Sequence, residues 1–281
     1  MSSLYNQLFS RNYGVIDSDE QKKLLNAKVT VVGAGGVGSI TLISLVRMGV
    51  GNVHIVDMDR FEPSNLNRQM LSSVSRLELL KAECAKQSLL DINPELNVSV
   101  SYDRLDEDNA QHHFQGVDVI IDATDNLVSR VIIHRAAQKA AIPSIWIAVT
   151  PPFRGGVMTF SDQTPAYEQV LRHPSYNKPL TTEVRQQINA IKNERAKKSV
   201  EFGASSEWAN AFVAGESPWA VLCPVANMVG LLASFEAFKL IVKRNNLLPT
   251  YAPQLIKIDL AKTDMVKVET PVDGSWDNAY L

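Results

Sequence analysis

Gly33-Ala34-Gly35-Gly36-Val37-Gly38 closes the apolar run at residues 29–32, and Asp57-Met58-Asp59 closes the next one at residues 53–56. A short β-branched run ended by glycines, then helical apolar spacing over residues 39–48, reads as a buried parallel strand turning into a helix. Gly33 and Gly35 permit the tight turn. With side chains absent there, backbone N–H groups can approach a phosphate at the positive end of the helix. Asp57, about 20 residues further on, stands where a carboxylate accepts from ribose hydroxyls. A glycine turn alone also fits simple packing of a helix on a strand. Ser64-Asn65-Leu66-Asn67-Arg68-Gln69 follows at once. A nicotinamide-binding module needs the turn and the carboxylate only. An arginine beside a phosphate site can stabilise charge developing on transferred phosphoryl oxygens.

Outward from that stretch, strand and helix patterns alternate. Residues 79–92 read as a helix ended by Asn93-Pro94, residues 98–101 as a weakly marked strand and residues 117–122 as a strong one. Residues 128–141 read as a helix, residues 143–149 and 155–160 as strands. Alternation of this kind implies a parallel sheet covered on both faces. Upstream, Ser18 fits a helix cap with Gln21 at the capping-box spacing. Residues 161–218 hold many of the prolines and a charged stretch, read as an insertion with one helix over residues 183–199. Pro224 opens a long helix to residue 243, where its missing N–H costs nothing. Residues 255–260 and 265–269 suit a terminal hairpin. The expected fold is α/β: a doubly wound, mainly parallel, Rossmann-like sheet with a helical insertion and a C-terminal hairpin. The expected division is a helical lead-in over 1–27, a nucleotide-binding core over 28–160, the insertion over 161–218, and residues 219–281 completing the same domain.

At 281 residues the chain can form one elaborated domain. A net charge of −2 and the lack of a basic run give no reason to expect nucleic acid. The start lacks the layout of a signal peptide, and no apolar run approaches the roughly 20 residues of a membrane span. Cys84 and Cys223 make neither a disulfide framework nor a metal motif. A cytoplasmic location is the expectation.

Asp122-Ala123-Thr124-Asp125-Asn126 follows the strong strand, and active sites of open parallel sheets lie at the carboxyl ends of strands. A carboxylate near a triphosphate holds Mg²⁺ more readily than it acts as an unaided base. Asp125 or Asn126 equally fits a helix cap. Lys81 fits a second phosphate-side cation, and its spacing also fits a solvated helix face. His112, His113 and His134 read as surface residues on helices.

These segments resemble the E1-like adenylyltransferases, the family of ubiquitin-activating enzymes and their ThiF/MoeB-type bacterial relatives. The matching stretches are residues 9–160 and 221–241. Four motifs match in order: the glycine turn with Ser39; Asp57-Met58-Asp59 with Ser64 to Gln69; Lys81 before Asn93-Pro94; and Asp122 to Asn126. The resemblance implies attack of a C-terminal carboxylate on the α-phosphorus of ATP, giving an acyl-adenylate and pyrophosphate. It implies a phosphate cradle at Gly33, Gly35, Gly36 and Gly38. It implies that Asp57 holds the ribose, with Asp59 and Asn126 beside the nucleotide. Asn65, Arg68 and Lys81 would bind the triphosphate, and Asp125 would position Mg²⁺. Phe9-Ser10-Arg11-Asn12 resembles an N-terminal segment whose arginine acts in the neighbouring subunit's site, which implies a homodimer; Arg11 also fits a plain surface arginine. A carboxylate and ATP repel, so cations that tighten in the transition state are what such a site requires.

The chain departs from the family in three respects. No Cys-x-x-Cys pairs exist, so no structural zinc is expected. Cys223, before Pro224 at a helix start, is a candidate nucleophile, while Cys84 fits a core position. The insertion has no residue-by-residue counterpart. In such enzymes it faces the substrate, and Trp208, Phe212 and Trp219 are candidates to line a channel or to pack as core. The acyl substrate is then either a ubiquitin-like sulfur carrier or a short precursor peptide. An NAD(P)-dependent oxidoreductase and a non-catalytic E1-like scaffold are the alternatives.

Overall fold

Eight strands form one sheet in the order β3-β2-β1-β4-β5-β6-β7-β8 in the computed structural model, which describes residues 1–281. The strands are β1 (Lys28–Val32), β2 (Asn52–Val56), β3 (Asn97–Ser101), β4 (Val119–Asp122), β5 (Ser144–Thr150), β6 (Arg154–Phe160), β7 (Leu255–Asp259) and β8 (Val266–Glu269). The first five run parallel. β6, β7 and β8 add antiparallel, so the expected terminal hairpin extends the main sheet. The four residues Val119 to Asp122 are all buried, as suits a central parallel strand with helices on both faces.

The helices are α1 (Ser3–Leu8), α2 (Ser18–Asn26), α3 (Gly36–Met48), α4 (Lys81–Ile92), α5 (Ala110–His113), α6 (Leu127–Lys139), α7 (Tyr167–Val170), α8 (Thr182–Ser199), α9 (Ser206–Val213) and α10 (Cys223–Val242). One core lies between the sheet and α2, α3, α4 and α10, and a second between the opposite face and α5, α6, α7 and α8. At 20 residues α10 is long and apolar enough to cross a membrane, contrary to the expectation that no run approached this length; most of it is buried against the sheet and α3.

Several local expectations shift. The cap of α2 is Asp17, one residue earlier than expected: its carboxylate accepts from the N–H groups of Asp19 at 2.9 Å and Glu20 at 2.8 Å, and Glu20 accepts from Asp17 N–H at 2.9 Å. Gln21 instead donates to the Tyr5 hydroxyl at 2.8 Å. The insertion holds three helices where one was expected. The short α9 is capped by Ser205, and Trp208 and Phe212, four residues apart, pack at 5.8 Å between ring centroids. His113 and His134 are buried, not surface residues. His134 lies within 3.2 Å of Asp122 Oδ2 and 2.8 Å of Ser144 Oγ, which fixes α6 to β4 and β5.

Candidate active site

The carboxyl ends of β1, β2, β4 and β5 open into a cavity of about 730 Å³. Its floor is the turn from β1 into α3. Gly33 has φ of +98°, a conformation that a Cβ disfavours, and a Cβ there would also lie 2.6 Å from the Ala123 carbonyl oxygen. A Cβ on Gly36 would stand 3.1 Å from Arg68 Cγ, so the bare backbone lets the arginine lie across the start of α3. Gly38 plays a different part. It does not line the cavity, and a Cβ there would overlap the Gly33 carbonyl, so it serves the close packing of helix on strand.

Asp57 follows β2 directly and is buried. Its two oxygens accept from Ala34 N–H at 2.6 Å and Asp59 N–H at 2.8 Å, which ties the glycine turn to the end of β2. Burial pushes this carboxyl up in pKa, and the two N–H donors oppose the shift. Residues 59–61 then pair with residues 78–81: Phe61 N–H donates to Leu79 at 3.0 Å and Lys81 N–H to Asp59 at 2.9 Å. This pairing carries Lys81 into the cavity. Lys81 is buried, not a solvated helix-face lysine, and its Nζ lies 3.1 Å from Asp59 Oδ2.

The 3₁₀ turn Pro63–Asn65 comes next. Asn65 accepts from Glu62 N–H at 3.1 Å, and Arg68 Nη1 donates to Ser64 O at 2.9 Å and to Asn67 Oδ1 at 2.8 Å. Burial lowers the Arg68 pKa, with Asp125 opposing. Asp125 projects from the loop after β4 with its side chain 97% exposed. Asn126 does not line the cavity; its side-chain oxygen caps α6 by accepting from Val128 and Ser129 N–H, both at 3.0 Å.

Of the expected site residues, the cavity brings together Gly33, Gly35, Gly36, Asp57, Asp59, Asn65, Arg68, Lys81 and Asp125. Gly38, Asn126, Arg11 and Cys223 lie outside its lining. Arg11 is exposed in the 3₁₀ turn Ser10–Asn12. Cys223 Sγ accepts from Asn227 Nδ2 at 3.1 Å. Of the three aromatics only Trp219 lines the cavity, its Nε1 bonded to Val149 O at 3.1 Å. Trp208 and Phe212 pack against it.

The opposite wall supplies three cations that were not expected: Arg130, Lys192 and Arg195. Arg130 is buried and donates to Thr124 O at 3.1 and 2.6 Å and to Ile147 O, bracing the loop that carries Asp125. Arg195 is buried, donates to Asn278 O at 2.8 Å and to its side chain, and has its pKa pushed down to about 10 by burial. Lys192 Nζ lies 3.9 Å from Asp125 Oδ2.

A glycine turn, the Asp57 carboxylate and cations on two walls surround one space. The model of the ThiF family matches residues 9–274. The chain belongs to the ThiF family. Its ThiF-family relatives include the probable adenylyltransferase/sulfurtransferase MoeZ of Mycobacterium tuberculosis, 40% identical over 52% of this chain and 37% of MoeZ. The molybdopterin-synthase adenylyltransferase of Haemophilus influenzae is 34% identical over 55% of this chain and 64% of that protein. The matched part is thus less than two-thirds of either relative. Among solved structures, E. coli MccB with ATP has TM-score 0.70 and 22% identity over 98% of this chain and 75% of MccB. PaaA has TM-score 0.69 and 19% identity over 96% of this chain and 74% of PaaA. These two likenesses show a shared fold over nearly the whole chain.

Proposed function

We propose that the chain is an ATP-dependent adenylyltransferase acting on the C-terminal carboxylate of a small carrier protein or a short peptide. A carboxylate oxygen attacks the α-phosphorus, the bond from that phosphorus to the bridging oxygen breaks, and pyrophosphate leaves. The product is the mixed anhydride of the acyl group with AMP. No side-chain nucleophile takes part; alignment of two anions and offsetting of their charge supply the rate. Asp57 accepts from the ribose, the turn at Gly33, Gly35 and Gly36 receives the phosphates, and Arg68 and Lys81 offset the charge moving toward pyrophosphate.

The observation that carries this reading is the convergence of Arg68, Lys81 and Asp125 on the cavity that holds the glycine turn and Asp57. The exposed Asp125 carboxylate fits Mg²⁺, which binds through one or two carboxylates together with substrate phosphates. Mg²⁺ there would neutralise phosphate charge. No histidine lines the cavity to serve as a hydride-transfer acid. The relatives named adenylyltransferases, and the solved MccB structures with ATP and with MccA, support the same reading.

The proposal extends to a cytoplasmic homodimer in which Arg11 enters the partner's site. Support for association comes from α10, where Leu231 and Phe235, four residues apart, are 48% and 43% exposed. The test is twofold. ATP with Mg²⁺ binds in calorimetry, and a carboxylate substrate drives exchange of labelled pyrophosphate into ATP that Arg68→Ala abolishes. Preference for NADH over ATP, or absence of ATP binding, would refute the proposal.

A further inference from the structure

Six lysines and arginines line the cavity: Arg60, Arg68, Lys81, Arg130, Lys192 and Arg195. Five of them already donate hydrogen bonds to protein acceptors. Lys192 donates none. Its nearest acidic atom, Asp125 Oδ2 at 3.9 Å, lies beyond hydrogen-bond reach. Its side chain is only 33% exposed, and Arg130 and Arg195 line the same wall. A partly desolvated ammonium beside two guanidinium groups is a costly arrangement that an anion would relieve.

Strand order says which anion. Along the sheet edge the sequence is β2, β1, β4, β5, with neighbours about 4.8 Å apart. Asp57 and Asp59, with Lys81 paired to Asp59, lie beyond β2, and the glycine turn lies beyond β1 with Arg68 across it. A nucleotide with its ribose at Asp57 therefore has its phosphates at β1, served by cations on that side. Lys192 stands across β4, over Asp125, and Arg195 follows it by three residues on the same face of α8. Arg195 spends Nε and Nη2 on Asn278, leaving Nη1. Ala148, Val149, Trp219 and Val221 line the same cavity with apolar surface, suited to a peptide chain and not to phosphate.

We infer that Lys192, with the remaining N–H groups of Arg195, is the subsite that receives the reacting carboxylate of the acyl substrate. The inference rests on the adenylation reading and names the residues that bind its second reactant. Loading of Mg²⁺ at Asp125 would remove that carboxylate from competition for Lys192, leaving the ammonium to the acyl group.

The experiment compares two stable probes by calorimetry: 5′-O-sulfamoyladenosine and its N-glycylglycyl derivative, which carries the acyl carbonyl and an ionised nitrogen where an acyl-adenylate has its anhydride. In the wild-type chain the acyl group tightens binding by on the order of 10- to 100-fold, the value of one charge-assisted hydrogen bond. Lys192→Met brings the two affinities within about threefold of one another while leaving the unacylated probe unchanged. Lys192→Arg recovers part of the difference. Melting temperatures report that both variants are folded, which is expected of a side chain without hydrogen-bonded partners. An undiminished acyl advantage in Lys192→Met overturns the inference. So does equal weakening of both probes, which would assign Lys192 to the phosphate side. Failure of both probes and ATP to bind the wild-type chain removes the adenylation reading itself, and that outcome is distinct from the other two.

Discussion

Two glycines of one turn, two residues apart, should respond to the same substitution in opposite ways. Gly38→Ala places a methyl into the Gly33 carbonyl and 3.3 Å from Ala123 Cβ; both obstacles are fixed by β1 and β4, and neither can swing aside. Overpacking against backbone costs about 3 kcal/mol. At roughly 2–4 °C per kcal/mol for a domain of this size, melting should fall by about 6–12 °C. Gly36→Ala meets only Arg68, at 3.1 Å from Cγ, 3.3 Å from Cδ and 3.4 Å from Nε. That side chain can shift by a few tenths of an ångström. With a neighbour that can yield, at the first residue of α3, the melting temperature should stay within about 2 °C. The shift instead moves the guanidinium and narrows the approach to the backbone N–H groups, and ATP affinity should fall about tenfold, near 1.4 kcal/mol. Thermal melting and calorimetry with Mg²⁺ and ATP read the two effects separately. The assignment of Gly36 to the ligand and Gly38 to packing fails if Gly38→Ala melts with wild type, or if Gly36→Ala binds ATP as wild type does.

Arg130→Met should lower stability by about 3 kcal/mol, because it strands the buried Thr124 and Ile147 carbonyls; chemical denaturation measures this. Arg244 holds the Glu20 carboxyl down to about 2, so the pair stabilises above the ordinary value of 4.5 and loses that contribution as pH falls toward 2. Glu20→Gln should therefore melt below wild type at pH 7, with the gap closing across that window. Cys223→Ser should leave pyrophosphate exchange unchanged, since Sγ is engaged with Asn227 and lies outside the cavity; loss of exchange would instead indicate a covalent role. Mixing equal amounts of Arg11→Ala and Arg68→Ala chains should restore about a quarter of wild-type exchange through hybrid dimers, and no restoration would place Arg11 outside the partner's site.

The parallel half of the sheet was legible because buried strands read as continuous apolar runs, and β1 and β4 are such runs. Direction was not: β6 has the same composition whether it runs with β5 or against it, and only its register partner decides. That Asp57, Arg68 and Asp125 gather at one cavity was legible because they sit at fixed offsets from the ends of β2 and β4. Asn126 and Gly38 belong to the same motifs yet serve capping and packing, which spacing alone cannot separate from ligand contact. His134 was misread because a histidine on a helix carries no mark of what faces it. Here α6 turns it onto Asp122 and Ser144.

Lys192 and Arg195 lay in a charged stretch read only as the one helix of an insertion, and their place in the cavity depends on a fold-back that no local pattern specifies. A signal was nonetheless present. Val184 and Ile188 are buried and mark the inner face of α8. Continuing that face by four and seven residues from Ile188 reaches Lys192 and Arg195. Two cations placed where an amphipathic helix otherwise turns apolar residues inward conflict with burial, since lysine and arginine are almost never buried without a partner. The structure puts that face at the cavity, and the conflict is resolved if the cavity receives an anion.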